Sequence, residues 1–337
     1  MNIQKQANKV FSTKFGPNVK LTLPKQYGTA KNYFQFFNGI DSQTKFDMLD
    51  VTKFFGPSSL MVQSITDKDV TEETIQQFLH SSINQSMGPF GRVQYVLKNN
   101  IKQRISPPGN ILSPQIQFLI NRPSSLKSPL TDVNEWYYSI YIKLDPNLAE
   151  KLIWPTIGAG ASHWFTLAEF KTGGYNGNSS AGDYRLSLSI HKDNDGLFYR
   201  CSGDNVANGL GIVPGITEYN NSKPFWRQRT KSGSVKLGVW QKLEVYVKRP
   251  VNKNDTTTGI SWMAITPVNQ QQRTVVGHKV GGVQMGIAEL PLSRLFIISN
   301  YFGGNSPIAI ECTDLDIWDT LPFRQSDRYN NNIIFDY

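Results

Sequence analysis

From about residue 90 onward the chain is a succession of short runs in which apolar and polar residues alternate. Residues 184–200 read YRLSLSIHKDNDGLFYR, so the apolar residues at positions 184, 186, 188 and 190 fall on one side of an extended chain. The KDNDG that follows is typical of a β-hairpin turn, because Asx residues and glycine adopt turn conformations easily. Similar runs predict ten strands, at residues 92–98, 115–120, 136–144, 164–171, 184–190, 197–201, 242–249, 260–265, 294–302 and 308–318.

Stretches rich in Gly, Pro, Asn and Asp separate these runs, for example SPPGN at 106–110 and VNKNDTTTG at 251–259. Helical patterns do not alternate with the strands as they would in a parallel α/β fold. We therefore expect a mainly β protein, a two-sheet antiparallel jelly-roll sandwich with a small mixed α/β N-terminal extension.

The first 87 residues differ in pattern from the rest. Residues 71–80 read TEETIQQFLH, with an acidic first turn and apolar residues at 75, 78, 79 and 83, which predicts a helix over about 71–84. Short β-prone runs broken by Gly and Pro precede it. We expect 1–87 to be an extension that docks on other protein subunits, 88–324 to be the sandwich, and 325–337 to be a C-terminal tail.

Composition and charge narrow the range of partners. The formal net charge of +9 favours acidic partners, but the cations are spread along the chain and form no basic arm, so nucleic acid is not expected. No run of 18 apolar residues occurs, so neither a membrane span nor a membrane partner is expected. The opening MNIQKQANKVFSTKFG lacks the apolar core of a signal peptide, which predicts synthesis in the cytoplasm. Cys201 and Cys312 are expected to be buried thiols, with one disulfide as the alternative.

Several longer motifs follow one another in a recognisable order. They are EWYYSIYIKL (135–144), FTLAEFK (165–171), the hairpin at 184–200, GVWQKLEVYVKRP (238–250), GISWMAI (259–265) and a closing strand ending DLDIWDTLP. This order resembles the concanavalin A-like lectin/glucanase jelly rolls, and within them the polysaccharide-lyase and laminin-G-like branch. The resemblance implies a concave sheet whose outward face holds a sugar.

Alternation assigns polar residues to such a face, and a mixture of cations, carboxylates and an aromatic ring suits an acidic glycan. A solvated outer sheet face is the competing interpretation. The candidate glycan-binding residues are Arg185, Ser187, Ser189, His191, Lys242, Glu244, Tyr246, Lys248, Glu169 and Lys171.

The resemblance to polysaccharide lyases also implies catalytic groups: a Tyr or His base, a side chain that neutralises the uronic carboxylate, and arginines. The candidates are His191 as base, Tyr301 as acid and Arg185 as cation. The pattern is incomplete, since Ser189 stands where a glutamine is expected and ISNYFGG (298–304) lacks the expected lysine.

No metal site or cofactor is expected. Asp193-Asn-Asp195-Gly is similar to the start of a calcium loop, but the twelfth position is Asp204 where an EF-hand has glutamate, so a hairpin turn is favoured and structural calcium is the alternative. The four histidines show no zinc-ligand spacing.

Three functions are consistent with these features. The main hypothesis is a non-catalytic structural protein of a larger assembly such as a phage or other virion, with a sheet face that binds glycan or a neighbouring subunit. It rests on the missing signal peptide, the N-terminal extension and the Asn-rich tract at 330–332. The alternatives are a polysaccharide lyase acting on an acidic glycan and a lectin-like carbohydrate-binding module. We therefore expect a protein that is not an enzyme, or a lyase if it is one.

Overall fold

The computed structural model describes residues 9–13, 60–65, 79–101, 114–121, 135–152, 164–172, 184–206, 222–249, 259–271, 273–280, 292–303, 307–318, 332–333 and 335–336. Their elements are β1 (Lys9–Thr13), β2 (Leu60–Ile65), β3 (Leu79–Met87), β4 (Val93–Ile101), β5 (Pro114–Asn121), β6 (Glu135–Leu144), α1 (Leu148–Lys151), β7 (Trp164–Thr172), β8 (Tyr184–Asp193), β9 (Gly196–Val206), β10 (Ser222–Thr230), β11 (Trp240–Lys248), β12 (Ile260–Pro267), β13 (Thr274–Val280), β14 (Leu292–Gly303), β15 (Ile308–Trp318), β16 (Asn332–Ile333) and β17 (Phe335–Asp336).

The strands form two sheets. The first has the order β16-β13-β12-β11-β6-β15-β4-β3, with β1 also paired to β15, and the second has the order β17-β10-β9-β8-β7-β14-β5-β2. All pairs are antiparallel except β13 with β16. The predicted two-sheet jelly-roll sandwich is confirmed, and each of the ten predicted strands lies within or overlaps an observed one.

The core lies between the two sheets and is built from the apolar side of each strand. Leu188 and Ile190 of β8 are fully buried. Tyr138 of β6 meets Phe170 of β7 edge to face across the core, with ring centroids 6.2 Å apart. Burial of the apolar face is what holds two sheets together, since each would otherwise expose a continuous hydrophobic surface.

The two cysteines are free and buried, which confirms the thiol interpretation over the disulfide. Cys201 Sγ of β9 lies 3.5 Å from Met263 Sδ and donates to the Val276 carbonyl at 3.3 Å. Burial raises the pKa of both thiols well above its ordinary value. Gly277 allows this close approach, because a Cβ there would lie 2.3 Å from Cys201 Sγ.

The predicted helix over about 71–84 requires a correction. Residues 79–84 belong to β3, which pairs with β4 along its whole length, while residues 71–78 lie outside the described residues. Leu79, Ile83 and Met87 are four residues apart, a spacing that fits the helical period and the two-residue strand period equally well. Pairing with β4 in a hairpin therefore makes this segment a strand, although its local sequence favours a helix.

The described strands that come before residue 88 and after residue 324 in the sequence also pair with strands of the two sheets. β1, β2 and β3 pair with β15, β5 and β4, and the short β16 and β17 pair with β13 and β10. Within the described residues no helix is long or apolar enough to cross a membrane.

Candidate glycan-binding site

The polar side of β8 faces away from the core, as its alternation predicts. Leu186, Leu188 and Ile190 are buried on the inner side. On the outer side the Ser187 and Ser202 hydroxyl oxygens are 2.9 Å apart, which places the matching residues of β9 on the same face. We call the outer face of β7, β8, β9 and β10 the arginine face, because β8, β9 and β10 all contribute arginines to it.

Strand register arranges this face in rows that run across the strands. The middle row is Tyr301, Thr166, Ser189, Arg200 and Arg229, contributed in turn by β14, β7, β8, β9 and β10. On one side of it lies the row Trp164, His191 and Phe198, and on the other the row Glu169, Ser187, Ser202 and Arg227. Residues paired in register share a face of the sheet, so these three rows form one surface.

His191 lies in the row of the arginine face nearest the β8–β9 turn and is only 5% exposed. Its ring stacks on Phe198, with centroids 5.8 Å apart and planes at 21°, and its Nε2 is 2.9 Å from Ser189 Oγ. Burial, and then the positive charges of Arg200, Arg227 and Arg229, lower the pKa of His191 to about 3. The imidazole is therefore neutral at ordinary pH and has a nitrogen that can accept a proton.

Three side chains hold Arg229 in place. Its guanidinium lies 3.7 Å from the centroid of Phe198, and its Nη2 donates to Asp193 Oδ2 at 2.8 Å and to Ser232 Oγ at 2.6 Å. Phe198 thus contacts the imidazole of His191 and the guanidinium of Arg229. This cation–π contact and ion pair hold Arg229 at the edge of the arginine face.

Asp193 closes the β8–β9 hairpin. Its Oδ1 accepts from the Asp195 amide at 3.1 Å, and its Oδ2 accepts from Ser232 Oγ at 2.7 Å as well as from Arg229. The hydrogen bond from Ser232, with those from Arg229 and Asp195, lowers the pKa of Asp193. Both carboxylate oxygens thus accept hydrogen bonds from groups in or beside the turn. Gly196 supplies the φ of +127° at the end of the turn, which favours glycine. Among the described residues no group of three or more His, Cys, Asp or Glu side chains could hold a metal ion.

Arg185, the third catalytic candidate, forms an ion pair within the same face. Its Nη1 is 3.1 Å from Glu169 Oε1, and the Glu169 side chain is only 9% exposed. Arg185 is two residue positions beyond Ser187 and four beyond Ser189 on β8, so it lies towards the far end of the arginine face from His191. Ser187 and Arg185 are half-buried, whereas Ser189 is buried.

Tyr301 and Lys171 are placed by backbone register. Tyr301 pairs with Thr166, which pairs with Ser189. Two strand spacings, about 10 Å, therefore separate the Tyr301 and Ser189 backbones. Lys171 pairs with Arg185 and with Arg294. The structure thus brings the backbones of the candidate base, His191, and the candidate acid, Tyr301, to the same region of one sheet face.

The four candidates on β11 do not join this surface. β11 belongs to the first sheet, and since both sheets turn their apolar sides to the core, its polar side faces away from the arginine face. Glu244 is 1% exposed and accepts from Tyr137 Oη at 2.7 Å and Arg273 Nε at 2.8 Å. Tyr246 is fully buried in a cluster with Tyr137 and Trp262. Lys242 and Lys248, half-buried, remain on the opposite side of the sandwich.

Sequence reasoning missed several residues of the site: Thr166, Trp164, Phe198, Arg200, Ser202, Arg227 and Arg229. Alternation in GLFYRCSGD (196–204) could have placed Phe198, Arg200 and Ser202 on one side of β9. β10 reads SKPFWRQRT, where Pro224 and the bulge between Pro224 and Trp226 obscure the period. No local pattern states that β10 lies beside β9, so the arginine cluster depends on tertiary register.

Comparisons with known proteins give matches among solved structures alone. The chain matches no protein-family profile and no curated protein sequence. Among solved structures it is similar to the alginate lyase Aly36B (TM-score 0.43, 14% identity, 79% of this chain and 88% of that chain). It is also similar to alginate lyase vAL-1 from Chlorella virus (0.40, 11%, 76% and 98%) and to the marine PL-14 alginate lyase from Aplysia kurodai (0.39, 10%, 77% and 98%). At these scores and identities the likeness carries no inference about activity.

Proposed function

We propose that the arginine face binds an acidic polysaccharide and cleaves it by β-elimination. The observation that carries the proposal is a neutral, buried His191 surrounded on one sheet face by Arg200, Arg227 and Arg229, with Tyr301 in the adjoining row. Guanidinium groups are suited to uronic carboxylates, because they form paired charge-assisted hydrogen bonds. This replaces our initial preference for a non-catalytic virion component, which no feature of the described residues favours.

Each group has one role in the proposed reaction. His191 removes the proton on C5, next to the uronic carboxylate, and the electron pair of that C–H bond forms the C4–C5 double bond. The C4–O bond breaks, and its electron pair leaves on the glycosidic oxygen, which takes a proton from Tyr301. Arginines at the carboxylate stabilise the negative charge that develops when the proton leaves.

Binding of an acidic sugar to the arginine face would change the proton affinity of His191. Burial and the three arginines disfavour a positive charge on His191. A bound carboxylate offsets part of that field, so substrate binding raises the proton affinity of His191 as the proton is transferred. An uncharged polysaccharide would bring no such change, which makes acidic polymers the favoured substrates.

The direct test is incubation of the protein with alginate, glucuronan and heparin-like polymers, followed by the ultraviolet absorbance of the unsaturated product. We expect one of them to be cleaved. His191→Ala and Tyr301→Phe should each lower the rate by roughly 100-fold or more, the scale of a lost general base or acid. His278→Ala and Tyr141→Phe, both on the first sheet, are matched controls that should retain activity.

The remaining outcomes separate the competing functions. Saturable binding of an acidic polymer without unsaturated product, weakened by Arg227→Gln, would establish the lectin-like alternative. No binding and no product with any acidic polymer would refute both, and leave the assembly hypothesis.

A further inference from the structure

Exposed apolar side chains of the described residues are concentrated in one place. Four large hydrophobic side chains are highly exposed there: Met87 (55%), Phe90 (59%), Val93 (66%) and Val239 (46%). Three belong to the β3–β4 hairpin and the fourth directly precedes β11. Scattered exposed hydrophobics need no explanation, but a contiguous patch marks an interaction surface.

Contacts join these residues into one patch. Met87 and Val93 are paired across the hairpin. The Met87 carbonyl accepts from the Trp240 indole at 3.0 Å, which ties the hairpin to β11 at the residue that follows Val239. Phe90 packs edge to face on Tyr141, with centroids 5.3 Å apart. We call Met87, Phe90, Val93, Val239, Trp240 and Tyr141 the hairpin patch.

Cations border the hairpin patch. Arg92 at the tip and Lys236 three residues before Val239 are exposed. Lys143 lies over the Trp240 ring at 5.8 Å, and Glu311 pairs with it at 3.1 Å. The patch thus combines an apolar tip, Trp and Tyr at its base, and an excess of positive charge. A second copy of this chain would meet like charges at such a rim, which disfavours self-association.

We propose that the hairpin patch is a peripheral docking site for an anionic lipid surface. Phe90 and Val93 enter the outer part of the lipid layer, while Trp240 and Tyr141 lie at the level of the headgroups, where amphipathic rings are favoured. Arg92 and Lys236 contact the anionic headgroups. Met87, Val93 and Val239 have no ring to stack on a sugar, so a polysaccharide fits the patch less well. This mode of binding needs no membrane span.

The test is co-sedimentation of the full-length chain with phosphatidylcholine vesicles, with and without about one third phosphatidylserine. We expect binding that requires phosphatidylserine and is weakened by salt. Phe90→Ser should lower the vesicle affinity by roughly tenfold, and Arg92→Gln by several-fold. Lys248→Gln is the matched control, because it removes a cation at the far end of β11, about 26 Å from Trp240, and should leave binding unchanged.

The thermal unfolding midpoint of Phe90→Ser should fall only slightly, since the side chain is more than half exposed and loses one ring contact, with Tyr141. The proposal is overturned if the parent protein does not bind phosphatidylserine vesicles or if Phe90→Ser binds them equally well. It is also overturned if Phe90→Ser changes the oligomeric mass or polysaccharide retention and leaves vesicle binding intact.

Discussion

Phe198 contacts both the imidazole of His191 and the guanidinium of Arg229 on the arginine face. Its ring stacks on His191 and also lies beneath the guanidinium of Arg229. A neutral imidazole is compatible with this arrangement, whereas an imidazolium would be buried beside three cations. Burial, and then arginines on β9 and β10, lower the pKa of His191 and keep its imidazole neutral.

Removing one of these charges should change the titration of His191. We predict that Arg229→Gln raises the pKa of His191 from its value of about 3 towards the ordinary value, because one of the repelling cations is gone. NMR titration of the imidazole measures this directly, without any substrate. Lys231→Gln, an exposed cation two residues away, is the control and should leave the titration unchanged. An unaltered pKa in Arg229→Gln would contradict the assignment.

The same lowered pKa has a consequence for stability. His191 in the unfolded chain binds a proton below about pH 6.5, but the folded chain binds it only near pH 3. The unfolded state is therefore favoured as pH falls through this window, by about 1.4 kcal/mol per pH unit from this group. Above about pH 6.5 the group has no effect on stability.

At the scale of elements, close packing between β9 and β13 depends on a missing side chain. We predict that Gly277→Ala lowers the free energy of unfolding by about 1–3 kcal/mol, the usual cost of overpacking, because the new Cβ would meet Cys201 Sγ and Cβ. Urea denaturation measures the loss. Gly91→Ala is the control, since nothing lies within 4 Å of a Cβ there, and its cost should be only that of a positive φ, about 1 kcal/mol.

Most strands of the fold could be predicted from the sequence, but two features of the elements could not. Alternation with turn residues between the runs was enough for ten strands, for the β8–β9 hairpin and for the two-sheet fold. It could not distinguish a helix from a strand at Leu79, Ile83 and Met87, whose spacing fits both. It also treated the polar positions of β8 and β11 as one surface, because alternation assigns a face within a strand but does not say to which sheet the strand belongs.

At the scale of the whole molecule, the sandwich separates two surfaces. The arginine face lies outside the second sheet, whereas the hairpin patch lies on the outer side of the first, around Tyr141 and Trp240. Two stacked sheets are about 10 Å apart, so the surfaces share no contacts.

We therefore predict that the effects of substitutions on the two surfaces are independent. Phe90→Ser should leave polysaccharide cleavage unchanged, and His191→Ala should leave vesicle binding unchanged. The double variant should lose as much cleavage as His191→Ala and as much vesicle binding as Phe90→Ser. Parallel assays of the four proteins test this. A loss of cleavage in Phe90→Ser at unchanged stability would show that the surfaces are coupled.

The position of β15 has a consequence for the order in which the chain can fold during synthesis. β15 lies between β6 and β4 in the first sheet, although it comes more than 160 residues after β6. Likewise β14 separates β7 from β5 in the second sheet. As the chain leaves the ribosome, the β3–β4 hairpin and β5 with β2 emerge early but have no partner on their inner sides until residues 292–318 follow. The growing chain therefore exposes unpaired strand edges and apolar sheet faces for most of its synthesis. Chaperone binding and aggregation compete most strongly with folding during that time.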